Sequence, residues 1–181
     1  ADGLIPVATG AGGHAGTLSP FALMQEIRSW FSGPIALSGA IACGRSILAA
    51  QALGADFAYI GSAFIATQEA NAVDGYKQAI VEGGASDIVY SDLFTGVHGN
   101  YLRGSIVAAG LDPDNLPDGD VKNMNFGSGG NTDAKAWKDI WGAGQGVGAI
   151  QSVGSVADLV DRFEGEYHAA YDALSANIRR R

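Results

Sequence analysis

A three-part unit recurs in the first third of the chain: an apolar run, a loop of glycine and other small residues, then a helix signal. The apolar runs cover 3–8, 35–37 and 56–60. After them come Gly10-Ala11-Gly12-Gly13-His14-Ala15-Gly16, Ser38-Gly39-Ala40-Ile41-Ala42-Cys43-Gly44 and Gly61-Ser62-Ala63-Phe64. Strand alternating with helix restricts the chain to α/β folds with parallel strands and crossover connections. The runs are continuous rather than alternating, as in strands covered on both faces. A doubly wound sheet and an eight-stranded β/α barrel both satisfy this pattern.

Helix signals follow the loops. Ser19-Pro20 supplies a hydroxyl cap and a proline suited to the first helical position. Phe21, Met24, Ile27, Trp30 and Phe31 then recur at helical spacing up to Gly33-Pro34. Arg45 to Leu53 reads as a second helix closed by Gly54. Beyond Thr67 the pattern changes. Residues 69–82 read as a helix, 86–95 as an extended segment and 100–109 as a helix. Residues 112–133, rich in Asp, Asn, Gly and Pro, read as a long surface loop. Trp137 to Trp141 lead into the glycine turn Gly142-Ala143-Gly144-Gln145-Gly146. Ser155 to Asp158 form a capping box. After it, Val156, Leu159, Val160, Phe163, Tyr167, Ala170, Tyr171, Leu174 and Ile178 form one stripe, expected to pack on a core. Arg179 to Arg181 read as a solvated basic tail.

Composition narrows the partners. The net charge is −8 and no basic stripe occurs, which argues against nucleic acid. No apolar run approaches the roughly 20 residues of a membrane span. The single cysteine, Cys43, excludes an internal disulfide and makes a reducing, cytoplasmic setting the expectation. At 181 residues, one domain is the prior.

The chemistry centres on residues 10–16. Four glycines there strip side chains away and let backbone approach a ligand closely. The one ionisable group in that clearing is His14, which suggests a cofactor site with a base beside it. A dinucleotide-binding turn fails two tests: the helix opens only at Pro20, and the next strand ends in Leu37-Ser38-Gly39 without an acid. Phosphate binding at the end of a barrel fits better. Ser38-Gly39-Ala40 and Gly61-Ser62 follow consecutive strands and offer amides and a hydroxyl each, with no Lys or Arg. His14, His98 and His168 show no metal-ligand spacing, so no metal site is expected. No Gly-x-Ser-x-Gly occurs, so a serine hydrolase is unsupported. Cys43 reads as packing, and Gln145 as either a turn residue or a reach into the same pocket.

These residues carry a family resemblance. Residues 10–16, Leu37-Ser38-Gly39-Ala40-Ile41, Leu53-Gly54-Ala55-Asp56, the stretch Tyr59 to Ala70 and the later Trp141 to Gly148 together resemble the nitronate monooxygenases, formerly called 2-nitropropane dioxygenases. The resemblance runs along essentially the whole chain, in order. It implies a TIM-type (β/α)8 barrel that binds FMN, with an added helical subdomain. It implies His14 as the catalytic base over the flavin, Gly12 and Gly13 near the flavin, and the FMN phosphate on Ser38, Gly39, Ala40, Gly61 and Ser62. Ala40 stands where many members have glycine, and Cys43 where Asp is frequent. The implied reaction is oxidation of nitronates or nitroalkanes by O2 to a carbonyl compound and nitrite. Flavin-dependent enoyl reductases share the Gly-Gly-His stretch and are the rival enzyme.

The resemblance covers only the family's C-terminal part. Three strands cannot close an eight-stranded barrel, so an incomplete barrel is expected. Its remainder would come from a longer protein or a second chain, and a non-catalytic fragment is the alternative. On this reading 1–66 holds late barrel strands and FMN loops, 67–133 a helical and loop insertion, and 134–181 the closing glycine turn and last helix.

Overall fold

The computed structural model describes residues 1–119 and 139–179. Its centre is a parallel sheet. Strand β2 (Ala36–Ser38) pairs in parallel with β3 (Phe57–Tyr59), setting Ala36 opposite Phe57 and Ser38 opposite Tyr59. Along the other edge of β2 the run 3–8 makes bridges at Leu4↔Ile35 and Val7↔Ser38 rather than an unbroken ladder. The chemistry of Pro6 explains the gap. Leu4 N donates to Pro34 O and Ala8 N to Ser38 O, but the intervening donor position is Pro6, which has no N–H. The strand order expected from the repeat is present, with one donor missing.

Helices α1 (Pro20–Arg28) and α2 (Gly44–Ala52) cover one face of this sheet. Ala8, Met24, Ile35, Leu37, Ala50 and Ala55 form the core between them. The other face is open: Phe57 and Tyr59 are 63% and 56% exposed. The expectation of strands covered on both faces therefore fails within the described residues. Helix α1 also stops sooner than the apolar spacing suggests. Ser29 Oγ donates to Glu26 O, and the Arg28 guanidinium donates to the carbonyls of Phe31, Gly33 and Gly54 and to Asp56. The Ser29 bond, with the Ser29, Trp30 and Phe31 amides on the Glu26 and Ile27 carbonyls, satisfies the helix end, the Arg28 bonds tie down the segment beyond it, and Trp30 lies outside the helix, exposed.

Helix α3 (Ser62–Ile65) is a single turn, and α4 spans Asp74–Glu82. The reading of a helix from residue 69 is corrected. Gln68 N donates to Gly154 O, and the Glu69 carboxylate accepts from Val156 N, so this segment is committed to the start of the last helix. The expected helix over 100–109 is half strand. Strands β4 (Ile88–Ser91) and β5 (Gly99–Leu102) form an antiparallel pair, and α5 begins only at Arg103 (Arg103–Ala108). The short strand β1 (Gly13–His14) joins β5 antiparallel, with His14 opposite Gly99 and Gly13 opposite Asn100. Tertiary pairing overrides the local pattern here: Asn100 Nδ2 donates to Ala11 O at 2.7 Å, and every residue of β5 is buried. The region read as a helical and loop insertion thus holds a small antiparallel sheet. The part of the expected 112–133 loop beyond residue 119, the start of the Trp137 segment and the last two arginines lie outside the described residues.

The last helix, α6 (Val156–Arg179), opens on the expected box: Asp158 N donates to Ser155 Oγ, and Ser155 N to the Asp158 carboxylate. It crosses α2 at Gly44, whose N–H donates to Glu166 at 2.8 Å. A Cβ at Gly44 would lie 2.2 Å from Tyr167 N, so only glycine permits this approach. The apolar stripe divides. Phe163 and Ala170 are buried, whereas Val160, Tyr171, Leu174 and Ile178 are exposed. The expectation that the whole stripe packs on a core is corrected at those four exposed positions.

Candidate functional site

Backbone-to-backbone contacts assemble the site. Gly10 has φ +79° and Gly13 φ +68°, conformations that glycine adopts without the strain of a side chain. The Gly10 carbonyl accepts from Ala40 N at 3.2 Å and Gln145 N at 2.9 Å, which joins the first, second and last glycine loops at one oxygen. Gly144 N donates to Ser62 Oγ at 2.9 Å, which brings in the loop after β3. Side chains would prevent this. A Cβ at Gly12 would lie 2.8 Å from Gly144 N, and one at Gly144 would lie 2.5 Å from Gly10 O.

Between these loops is a cavity of about 370 Å³. Gly12, Gly13, His14, Ser38, Gly39, Ala40, Gly61 and Ser62 all line it, so every candidate site residue is brought to one place. Ala40 adopts φ +53°, a left-handed conformation that glycine adopts more readily than a residue with a side chain. Cys43 is not part of the wall. It sits before α2 with Sγ 3.4 Å from Ser46 Oγ. Gln145 turns its side chain toward Gly10 rather than into the lining.

His14 enters the cavity from β1, and its Nε2 lies 3.0 Å from Thr95 Oγ1. Thr95 is buried and escaped the sequence reading, since nothing in its local sequence marks it. Tyr76 was missed for the same reason. Its hydroxyl donates to Gly142 O, its ring stacks on Trp141, and burial pushes its phenol up to about 12, so it stays a neutral donor. Among the described residues no group of three or more His, Cys, Asp or Glu could hold a metal ion. Among the same residues no helix is long and apolar enough to cross a membrane.

A family model for nitronate monooxygenase matches residues 1–164. The chain belongs to the nitronate monooxygenase family. A family relative, the nitronate monooxygenase of Paraburkholderia phytofirmans, is 29% identical over 189 residues, covering 96% of this chain and 51% of its own length. The chain spans about half the length of the curated relatives it matches. Among solved structures, a nitroalkane oxidase from Streptomyces ansochromogenes superposes with a TM-score of 0.71 at 26% identity, over 96% of this chain and 54% of its own. FabK from Thermotoga maritima superposes at 0.73 with 23% identity, over 98% and 58%, a likeness of fold.

Proposed function

We propose that this chain forms the cofactor-holding and base-bearing part of an FMN-dependent enzyme that oxidises nitronates and nitroalkanes with O2 to a carbonyl compound and nitrite. The observation that carries the reading is the convergence of His14 and three side-chain-poor strand ends on one cavity. Its walls suit a flat ring with a phosphate tail. A Cβ at Gly61 would meet nothing within 4 Å, so the backbone there faces open space. The amides of Gly61 and Ser62 precede the first intrahelical bonds of α3 and have no partner within that helix. Ser62 Oγ already accepts from Gly144 N, which leaves its own proton to donate to a phosphate oxygen. Among the described residues no Lys or Arg lines the cavity, so amides and hydroxyls there supply the donors.

Bound FMN supplies the electron acceptor and the reaction with O2. The protein's part is to hold it and to move a proton. Gly39, Ala40, Gly61 and Ser62 grip the phosphate, with Ser38 adding a hydroxyl. Gly12 and Gly13 let backbone approach the ring. His14 takes the proton from the carbon beside the nitro group, a carbon acid that needs a base near neutral pKa. A nitronate has already lost that proton and does not need this step. The open sheet face bearing Phe57 and Tyr59 supports a place within a larger β/α barrel, whose other strands would cover it.

The test is flavin loading followed by nitrite release from nitroethane and from its nitronate, beside a His14→Ala variant. Nitroethane turnover should fall by about 10²-fold or more, with nitronate turnover far less affected. Undiminished nitrite release from nitroethane would remove His14 as the base.

A further inference from the structure

Thr95 holds His14 from a position far along the chain. It is buried, between β4 and β5, with its Oγ1 3.0 Å from His14 Nε2 and 3.0 Å from the Val97 carbonyl oxygen. A carbonyl oxygen only accepts, and a threonine hydroxyl has one proton to give. Giving that proton to Val97 leaves the Oγ1 lone pairs facing donors. The Val97 amide also approaches this oxygen, at 3.4 Å. With its proton given to the Val97 carbonyl, Thr95 Oγ1 presents only lone pairs to the His14 ring. An imidazole nitrogen placed there brings a hydrogen, since otherwise lone pair would face lone pair.

We infer that Thr95 is a positioning residue that holds His14 in the tautomer protonated at Nε2, leaving Nδ1 as the nitrogen that takes the substrate proton. The inference rests on His14 being the base and specifies which atom acts. Tautomer matters because the two ring nitrogens differ: one presents a hydrogen and the other a lone pair, and the hydrogen bond made by one fixes the role of the other. Protonation at the wrong nitrogen leaves the geometry intact and removes the base. The opposite arrangement, with Thr95 donating to a bare Nε2, takes the hydroxyl proton from Val97 O.

The tautomer is measured directly by multiple-bond 15N–1H NMR on the labelled protein, at a pH where imidazoles are neutral. The chain has three histidines, and His14→Gln assigns the His14 signals by their loss. Unsubstituted protein should show His14 protonated at Nε2. Protonation at Nδ1 overturns the inference without any variant, so it stands open to refutation even if substitutions at Thr95 fail to fold. Thr95→Val, which keeps the shape and removes the hydroxyl, should shift His14 toward the other tautomer. Thr95→Ser should restore the original pattern. An unchanged tautomer in folded Thr95→Val also overturns it. In the flavin-loaded protein, Thr95→Val should slow nitroethane turnover by about tenfold or more, a share of what a positioned base contributes. Ethyl nitronate turnover should stay within about twofold, because no proton has to be taken from it. Equal losses on both substrates overturn the assignment. A His14→Ala protein that keeps its nitroethane turnover defeats the base reading and with it the role given to Nδ1, while the spectrum reports the tautomer separately.

Discussion

One methyl group at Gly144 tests the convergence of the loops. Its carbon would lie 2.5 Å from Gly10 O, 3.0 Å from Gly12 N and 3.4 Å from Ala11 C, all backbone atoms of the first loop. No flexible side chain can move aside, so the two loops must separate. Three hydrogen bonds meet at this point: Ala40 N and Gln145 N to Gly10 O, and Gly144 N to Ser62 Oγ. Overpacking costs about 1–3 kcal/mol, and each stretched bond about 0.5–1.5 kcal/mol. Because the bonds stretch rather than vanish, Gly144→Ala should destabilise by about 3–5 kcal/mol. For a chain of this size that lowers Tm by about 10 °C, and it should abolish flavin uptake. Gly61→Ala is the matched control. Its methyl meets nothing within 4 Å, and Gly61 has φ −114°, which any residue can adopt. Stability should stay within about 0.5 kcal/mol, while FMN affinity, read by flavin fluorescence, should fall about tenfold. A Tm within about 2 °C of the parent for Gly144→Ala would refute the account of how the loops are joined. Undiminished FMN affinity for Gly61→Ala would refute the backbone cradle.

Two further substitutions probe the supports. Ala40 sits at φ +53°, where an L side chain costs roughly 1–2 kcal/mol; Ala40→Gly should raise stability by about 0.5–1 kcal/mol after the added freedom of the unfolded chain, measured by urea unfolding. Asp56 accepts from Ile35 N and Arg28, and these bonds hold its carboxyl below the usual carboxylate value. A depressed folded pKa gives stability that is present above the unfolded value and lost as pH falls through the folded one. Asp56→Asn should therefore flatten the fall in Tm below about pH 4, and an unchanged acid slope would count against the linkage.

What could be read from sequence, and what could not, follows from where the physical cause of each feature lies. The glycine loops were legible because glycine itself records a constraint: Gly10 and Gly13 carry positive φ, and Gly12 and Gly144 pass within contact distance of other backbone. The strand–loop–helix repeat was legible because sheet and crossover helix are built from neighbouring residues. Features fixed by distant partners left no such trace. The segment after Thr67 looks helical until Gly154 and Val156, at the start of α6, are present to claim Gln68 and Glu69. Asn100 to Leu102 form a strand because β1 and β4 flank them, and β1 is too short to recognise alone. The stripe on α6 reports amphipathicity correctly but does not name its partner, so it could not reveal that Leu174 and Ile178 remain exposed. Thr95 is the sharpest case. A buried threonine in a tight turn is ordinary until His14 arrives from 81 residues away and makes that hydroxyl the contact to its ring nitrogen. The backbone that would hold the cofactor is thus written locally, in glycine. The atom that would move the proton is set by a contact across the fold, and only the folded chain brings the two together.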